Sequence, residues 1–324
     1  RGYWMYNILI TGFGGITPQN IARSLKLARN DYRIIVTDMD RYCIGLYLSD
    51  LIDKAYVVPP ASDDAYLEVL KQIVEQEDID LLICSPEKEL IDLSSHREEV
   101  NCKIFIPDDQ IIQSVINKAI TFEILEKWGC PVPMGFRLND STDLRSAFDE
   151  LAGELWIRAD EGTSGEGSLK VERFDTAKAW IDARDGWGKF SAAQYLPGRN
   201  LACKVLFYEG KLIASFVAER LRYLMAKVAP SGITGNVSLG RFVFAPKITE
   251  ISLKSLNSLF SNFHIKPHGM FTVDLKEDAD GLPAGQSAGA QGAHARSQGR
   301  QRARPGRRPG AAGARRRRHR GRLD

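Results

Sequence analysis

Over residues 5–110, short apolar runs ending at turn residues alternate with segments of helical period. Asn7–Thr11 (NILIT), Arg33–Asp38 (RIIVTD), Tyr56–Val58, Asp80–Cys84 (DLLIC) and Lys103–Ile106 read as strands. Between them, Pro18–Leu27 carries Ile21 and Leu25 at helical spacing, and Ala65–Gln76 carries Leu67, Leu70 and Val74. Near-continuous apolar runs are what strands covered on both faces require, and intervening helices supply the crossovers. The pattern therefore predicts a doubly wound parallel α/β sheet, a Rossmann-like domain.

From Asp109 the pattern changes to α+β. Ile111–Trp128 reads as helices that stop at Gly129, a C′ glycine, with Pro131 beyond. A strand at Leu155–Arg158, a glycine loop at Asp160–Ser168 and a strand at Leu169–Glu172 follow. Next come a helix at Thr176–Asp185 and strands at Ser191–Leu196, Ala202–Tyr208 and Leu212–Arg220. A helix at Ile251–Phe263 and a strand at Gly269–Lys276 complete the patterned chain. No internal repeat is visible.

At 324 residues and 44% hydrophobic, the chain has enough apolar material for about two domains. No apolar run approaches the ~20 residues of a membrane span, and no secretory signal opens the chain. Five separated cysteines without a CxxC predict buried thiols in a reduced, cytoplasmic setting. Arg1–Trp4 precede Met5 and read as additions to the natural start. The net charge of +3 hides an asymmetry. Residues 284–324 hold 12 Arg, 9 Ala, 8 Gly and a single acid, Asp324, for a charge of +11, which leaves −8 on the preceding 283 residues. Such a segment cannot bury enough apolar surface to offset its ordering entropy, so disorder is expected from Ala284. It fits three origins: a basic arm that binds nucleic acid, a solvated linker, or the product of a shifted reading frame in a GC-rich gene.

The turn Thr11–Gly15 (TGFGG) lies between a strand and a helix, with Asp38 ending the second strand. Glycines there suit either a dinucleotide site, as in a nicotinamide-dependent reductase with Asp38 on the ribose, or a turn that packs the sheet. The third glycine of the full fingerprint is absent. YLMAK (Tyr223–Lys227) has the Tyr-x-x-x-Lys spacing of short-chain reductases but falls too late in the chain for that fold. Glu87, in SPEKEL after the fourth strand, suits an amine ligand or a helix N-terminus. No His/Cys cluster has metal spacing, and no GxSxG nucleophile elbow occurs.

The second segment is more specific as an ordered set. Asn117-Lys118 opens a helix ending in KWGCPVP, and LWIRADEGTSGEGSLKV places Arg158 four residues before Gly162, the first of a glycine loop that includes Gly165 and Gly167. Backbone N–H groups of such a loop can close over phosphates. AAQYLPGRN and HGMFTVDLKED follow, the latter putting Asp274 on a strand.

In this order the motifs resemble the ATP-grasp superfamily, most closely stand-alone proteins similar to the carbamoyl-phosphate synthase large subunit. The resemblance covers about residues 5–283. It implies a Rossmann-like pre-ATP-grasp domain at 5–110, an ATP-grasp small lobe at 111–190, a large lobe at 191–283 and a disordered basic tail at 284–324. By position, Lys118 and Arg158 match the two basic residues on the ATP phosphates, and Gly162, Thr163, Ser164, Gly165 and Gly167 the loop that covers them. Gln194, Tyr195 and Leu196 match the hinge that holds adenine. Asn200 stands where relatives carry a ribose-binding Glu, and Asp274 matches the first ligand to Mg²⁺ or Mn²⁺. Arg220 and Arg222, before the glycine-bearing loop Ala229–Gly235, are candidates to stabilise an acyl phosphate.

The implied chemistry is ATP-dependent activation of a small-molecule carboxylate, followed by attack of an amine. One departure bears on it directly. Relatives follow the Asp strand with a second strand carrying Glu-x-Asn, and here no Glu or Asn occurs after Asp280. The expectation is therefore a ligase impaired in this form. The alternatives are a non-catalytic nucleotide-binding protein and the nicotinamide-dependent reductase. Nucleic acid is an expected partner only if the basic tail is native; a membrane is not expected, and a homodimer is compatible with the sequence.

Overall fold

The computed structural model describes residues 6–28, 31–151, 153–160 and 167–290. The first unit contains β1 (Tyr6–Ile10), α1 (Ile16–Ala28), β2 (Tyr32–Asp38), β3 (Lys54–Val57), α2 (Tyr66–Gln76), β4 (Leu81–Ile83), α3 (Glu87–Ser95) and β5 (Lys103–Ile104). Its strands form a parallel sheet in the order β3-β2-β1-β4-β5. β1 is central because its apolar residues are covered from both sides: Leu9 packs with Ile35, Leu70 and Leu82, while Ile10 packs with Ile34, Val36 and Phe13. The doubly wound sheet expected from the alternation is present.

α4 (Asp109–Ile116) and α5 (Lys118–Lys127) follow. The Asp108 side chain caps α4 by accepting from the Gln110 N–H at 3.0 Å. Gly129, at φ +62°, ends α5, and the Gly129 and Cys130 N–H groups return to carbonyls of the last turn.

A four-stranded sheet, β6-β9-β7-β8, is built from β6 (Gly135–Leu138), α6 (Ser141–Leu151), β7 (Leu155–Ala159), β8 (Leu169–Val171), α7 (Phe174–Asp182) and β9 (Phe190–Gln194). Leu138, Leu144, Leu155, Ile157, Ile181 and Phe190 close a core of its own. β10 (Asn200–Tyr208), β11 (Lys211–Tyr223), β12 (Val237–Val243), α8 (Pro246–Asn262), β13 (Gly269–Glu277) and β14 (Pro283–Ala290) form the last unit. Its sheet runs β12-β11-β10-β13-β14 and is antiparallel throughout. β12 is one edge, and all but its last residue are exposed.

Cores and strand pairing correct the expected boundaries in three places. β9 is an interior strand of the four-stranded sheet, so that unit extends to Gln194 rather than 190. Ile111, Ile112 and Val115 of α4 and Ile124 of α5 share one core with the first sheet and with Cys203, Val205, Phe271 and Val273. These helices therefore share a core with the first and last sheets, although Lys118 and Phe122 of α5 also meet Asp160 and Arg158 of the small lobe to which the sequence assigned them. Residues 284–290, expected in the disordered tail, pair with β13. An antiparallel edge strand needs only backbone donors and acceptors, which the small residues PAGQSAGA supply without apolar alternation. Residues 291–324 lie outside the described residues.

The five cysteines are free thiols, with Cys84, Cys130 and Cys203 buried. No described helix is long and apolar enough to cross a membrane.

Candidate functional site

The glycine turn of the first sheet is filled by protein. A Cβ on Gly12 would lie 2.2 Å from Pro86 Cγ, and one on Gly14 would meet Asp38 and Cys43 at 3.0 Å. Asp38 Oδ2 accepts from the Gly14 N–H at 2.7 Å, and Oδ1 from the Asp40 N–H at 2.9 Å. Asp38 thus holds the turn against the sheet, which is the packing role the sequence left open. Nearby, Thr11 and Tyr66 face the buried Glu89 carboxyl and favour its charged form against burial.

Two basic residues converge where β7 ends. Alternation along β7 sends Leu155 and Ile157 into the small-sheet core and Arg158 to the opposite face. There the Arg158 guanidinium lies 4.8 Å from the centre of the Phe122 ring on α5. Burial lowers its pKa to about 10, against the opposing influence of Asp160. Lys118, the first residue of α5, donates to the Asp160 carbonyl at 3.3 Å. Glu87, at the start of α3, is close enough to feel the Lys118 charge; burial raises its pKa and Lys118 opposes the rise. The first sheet thus brings a carboxyl group to the same place.

Gly162, Thr163, Ser164 and Gly165 lie outside the described residues. Gly167, at φ +76°, packs against Ala159 and Phe190, and its carbonyl accepts from Trp180 Nε1 at 2.9 Å. This fixes the far end of the glycine segment. Gln194 and Tyr195 are built into the small sheet, their N–H groups bonding to Met134 O and Glu154 O at 3.1 Å. Leu196 is buried. The chain then crosses to β10, where Gly198 N–H donates to Glu277 O at 2.9 Å.

The last sheet has two unlike faces. Phe271, Val273 and Leu275 point to the core, whereas Thr272, Asp274 and Lys276 share the other face. Across the ladder on that face stand Lys204 opposite Thr272, Ala202 opposite Asp274, and Asn200 opposite Lys276. Arg220 Nη2 donates to Asp274 Oδ1 at 2.5 Å. Burial works against the Arg220 charge, but Asp274 and Tyr223 more than offset it and raise its pKa. Lys204 Nζ donates to Thr272 Oγ1 at 3.1 Å and Lys276 Nζ to Gly198 O at 2.9 Å. Burial lowers the pKa of both lysines, opposed by Asp274 for Lys204 and by Glu277 for Lys276.

Of the two candidate arginines, Arg220 reaches Asp274, whereas Arg222 is exposed beyond a register shift in β11. Lys204 and Lys276 were not singled out in the sequence. Their signal is a lone lysine in each of two apolar strands, NLACKVLFY and GMFTVDLKE, the second in phase with Asp274.

The residues present do not fit a divalent cation of the Mg²⁺ class. Such an ion is held by one or two carboxylates, with water and phosphate oxygens completing its octahedron. Asp274 is engaged by a guanidinium, and Lys204 and Lys276 stand on the same face. No group of three or more His, Cys, Asp or Glu suited to a metal occurs among the described residues.

A family described as PylC-like, N-terminal domain, matches residues 8–105. No curated protein matches the chain. Among solved structures, N5-carboxyaminoimidazole synthetase from Staphylococcus aureus, complexed with ADP, superposes with a TM-score of 0.65 at 17% identity, covering 92% of this chain and 73% of that one. An L-amino acid ligase from Bacillus licheniformis gives 0.59 at 15% identity, covering 90% and 68%. D-alanyl-alanine synthetase A from Vibrio cholerae gives 0.60 at 16% identity, covering 88% of each chain.

Proposed function

We propose that this chain, whose fold is that of the ATP-grasp ligases, binds ATP between the four-stranded and five-stranded sheets and descends from a carboxylate–amine ligase. The observation that carries this reading is the convergence of Lys118 and Arg158, from separate elements, at the start of the glycine-bearing segment. Two fixed cations there suit the phosphates of a nucleotide, and an anion at Arg158 would offset the desolvation that lowers its pKa. The hinge Gln194–Leu196 lies where the two sheets join and would hold the base. Glu87, beside Lys118, is placed to receive the ammonium of an amine substrate. The similarity to ligases that act on small molecules supports this substrate class.

Phosphoryl transfer is impaired in this form. Charge on a moving phosphoryl group is ordinarily neutralised by metal ions bridging the phosphates. The donor set needed to hold them is incomplete here, because no Glu or Asn follows Asp280.

Titration calorimetry of the full chain with ADP tests the site. Arg158→Met should weaken binding by about tenfold, the loss of one charge-assisted contact. Binding of NADPH but not ADP would overturn the nucleotide assignment. Phosphate release from Mg-ATP with panels of carboxylates and amines should stay at background, and release above background would overturn the impairment.

A further inference from the structure

The outward face of the last sheet gathers Lys204, Arg220 and Lys276 around one carboxylate, Asp274. Lys276 is 7% exposed, and Lys204 and Arg220 are largely buried. Asp274 answers Lys204 and Arg220, and Glu277, which acts on Lys276, is itself paired with Arg199, so positive charge stays in excess in a desolvated place, which is costly without an anionic partner. Asp274 is committed to Arg220 at 2.5 Å. Coordinating a hard cation through it would break that pair and leave a buried guanidinium uncompensated. A divalent cation arriving there would also meet Lys204, which already feels both Asp274 and Arg220. A polyphosphate meets the opposite situation, since every cation on the face can donate to its oxygens.

We propose that this face holds nucleotide phosphates without a divalent cation, with Lys204, Arg220 and Lys276 neutralising the charge and Asp274 serving as their counter-ion rather than as a metal ligand. The proposal rests on the nucleotide-binding reading above and assigns two lysines to the site. Lys276 also joins the phosphates to the hinge, because its ammonium bonds the Gly198 carbonyl.

The test is calorimetric titration of the full chain with ADP, in EDTA and in excess Mg²⁺. The expected result is an affinity in EDTA at least equal to that in Mg²⁺. Binding about tenfold tighter in Mg²⁺ would overturn the proposal while leaving the nucleotide site in place. Asp274→Asn separates the two roles by sign. Removing a counter-ion tightens ADP binding in EDTA, whereas removing a metal ligand abolishes any gain from Mg²⁺ and leaves EDTA binding unchanged. Lys204→Met and Lys276→Met should each weaken EDTA binding by about tenfold, and a circular dichroism melt confirms that each variant folds. If ADP fails to bind in either condition, the nucleotide reading falls. Inorganic tripolyphosphate then tests the cationic face alone: weaker binding by the two lysine variants supports it, and equal binding overturns it. The arginine-rich segment contributes equally to all these chains, so only the differences between them report on the face.

Discussion

Glu89 shows how a single buried group can govern the pH response of the whole fold. It lies on α3, buried, with Thr11 and Tyr66 facing its carboxyl. Burial raises its pKa to about 7; Thr11 and Tyr66 oppose the rise, and Asp38 and Asp92 add to it. Its other buried neighbours, Tyr66 and Cys84, are themselves pushed up by burial. The folded state therefore binds more protons than the unfolded state between pH 4.5 and about 7. Stability from this group is intact below that window and is lost as pH rises through it, by about 3 kcal/mol in all. Glu89→Gln should flatten the fall in thermal midpoint between pH 5 and pH 8; an unchanged slope would show that the carboxyl is not the source. Glu77 acts in the opposite direction. Burial works against its charge, but Lys54, Tyr56 and Arg33 bind it and hold its pKa at about 2. Its contribution is present above pH 4.5 and disappears as pH falls toward 2.

The crossing from β9 to β10 is the element on which the site depends. Gly198 sits against β13, where an added Cβ would lie 2.6 Å from Glu277 Cβ and 2.7 Å from its carbonyl oxygen. Neither atom can move without shifting the strand that carries Asp274 and Lys276. Gly198→Ala should destabilise the chain by roughly 2 kcal/mol, read as a lower denaturation midpoint, and should weaken ADP binding as well. Unchanged values for both would show that the crossing is slack. How far such elements could be read from sequence depends on what covers them. β1, β2 and β4 were legible because burial on both faces forces apolar runs. The end of α5 was legible because a left-handed C′ position favours glycine. β12 left no pattern, since VSLGRFV is exposed on nearly every residue and has no buried face to mark. β14 was taken for tail because backbone pairing leaves little trace in residue type. Lys118 and Arg158 were singled out through the order of motifs. Lys204 and Lys276 became visible only when strand register put them beside Asp274.

At the scale of the whole molecule, the first sheet, α4, α5 and the last sheet are bound by one continuous core, while the four-stranded sheet closes its own. On the proposed nucleotide-binding reading, closure would be a motion of the small sheet about the chain near Gln194–Gly198. The proposed impairment is chemical and is tested by restoring the missing donors. Replacing residues 284–324 with a strand that carries Glu-x-Asn in register with β13 should make ADP binding Mg²⁺-dependent and bring phosphate release above background. If such a chimera folds and binds ADP but stays indifferent to Mg²⁺, the deficit lies elsewhere than in that strand. The opposite edge of the same sheet has a consequence for life in a crowded cell. Among the described residues β12 offers an unpaired ladder beside Leu239, Phe242 and the almost wholly exposed Phe244, which is the kind of surface that recruits foreign strands. Such a chain is a natural client for chaperones and proteases, and its abundance would be set by their vigilance as much as by its own folding.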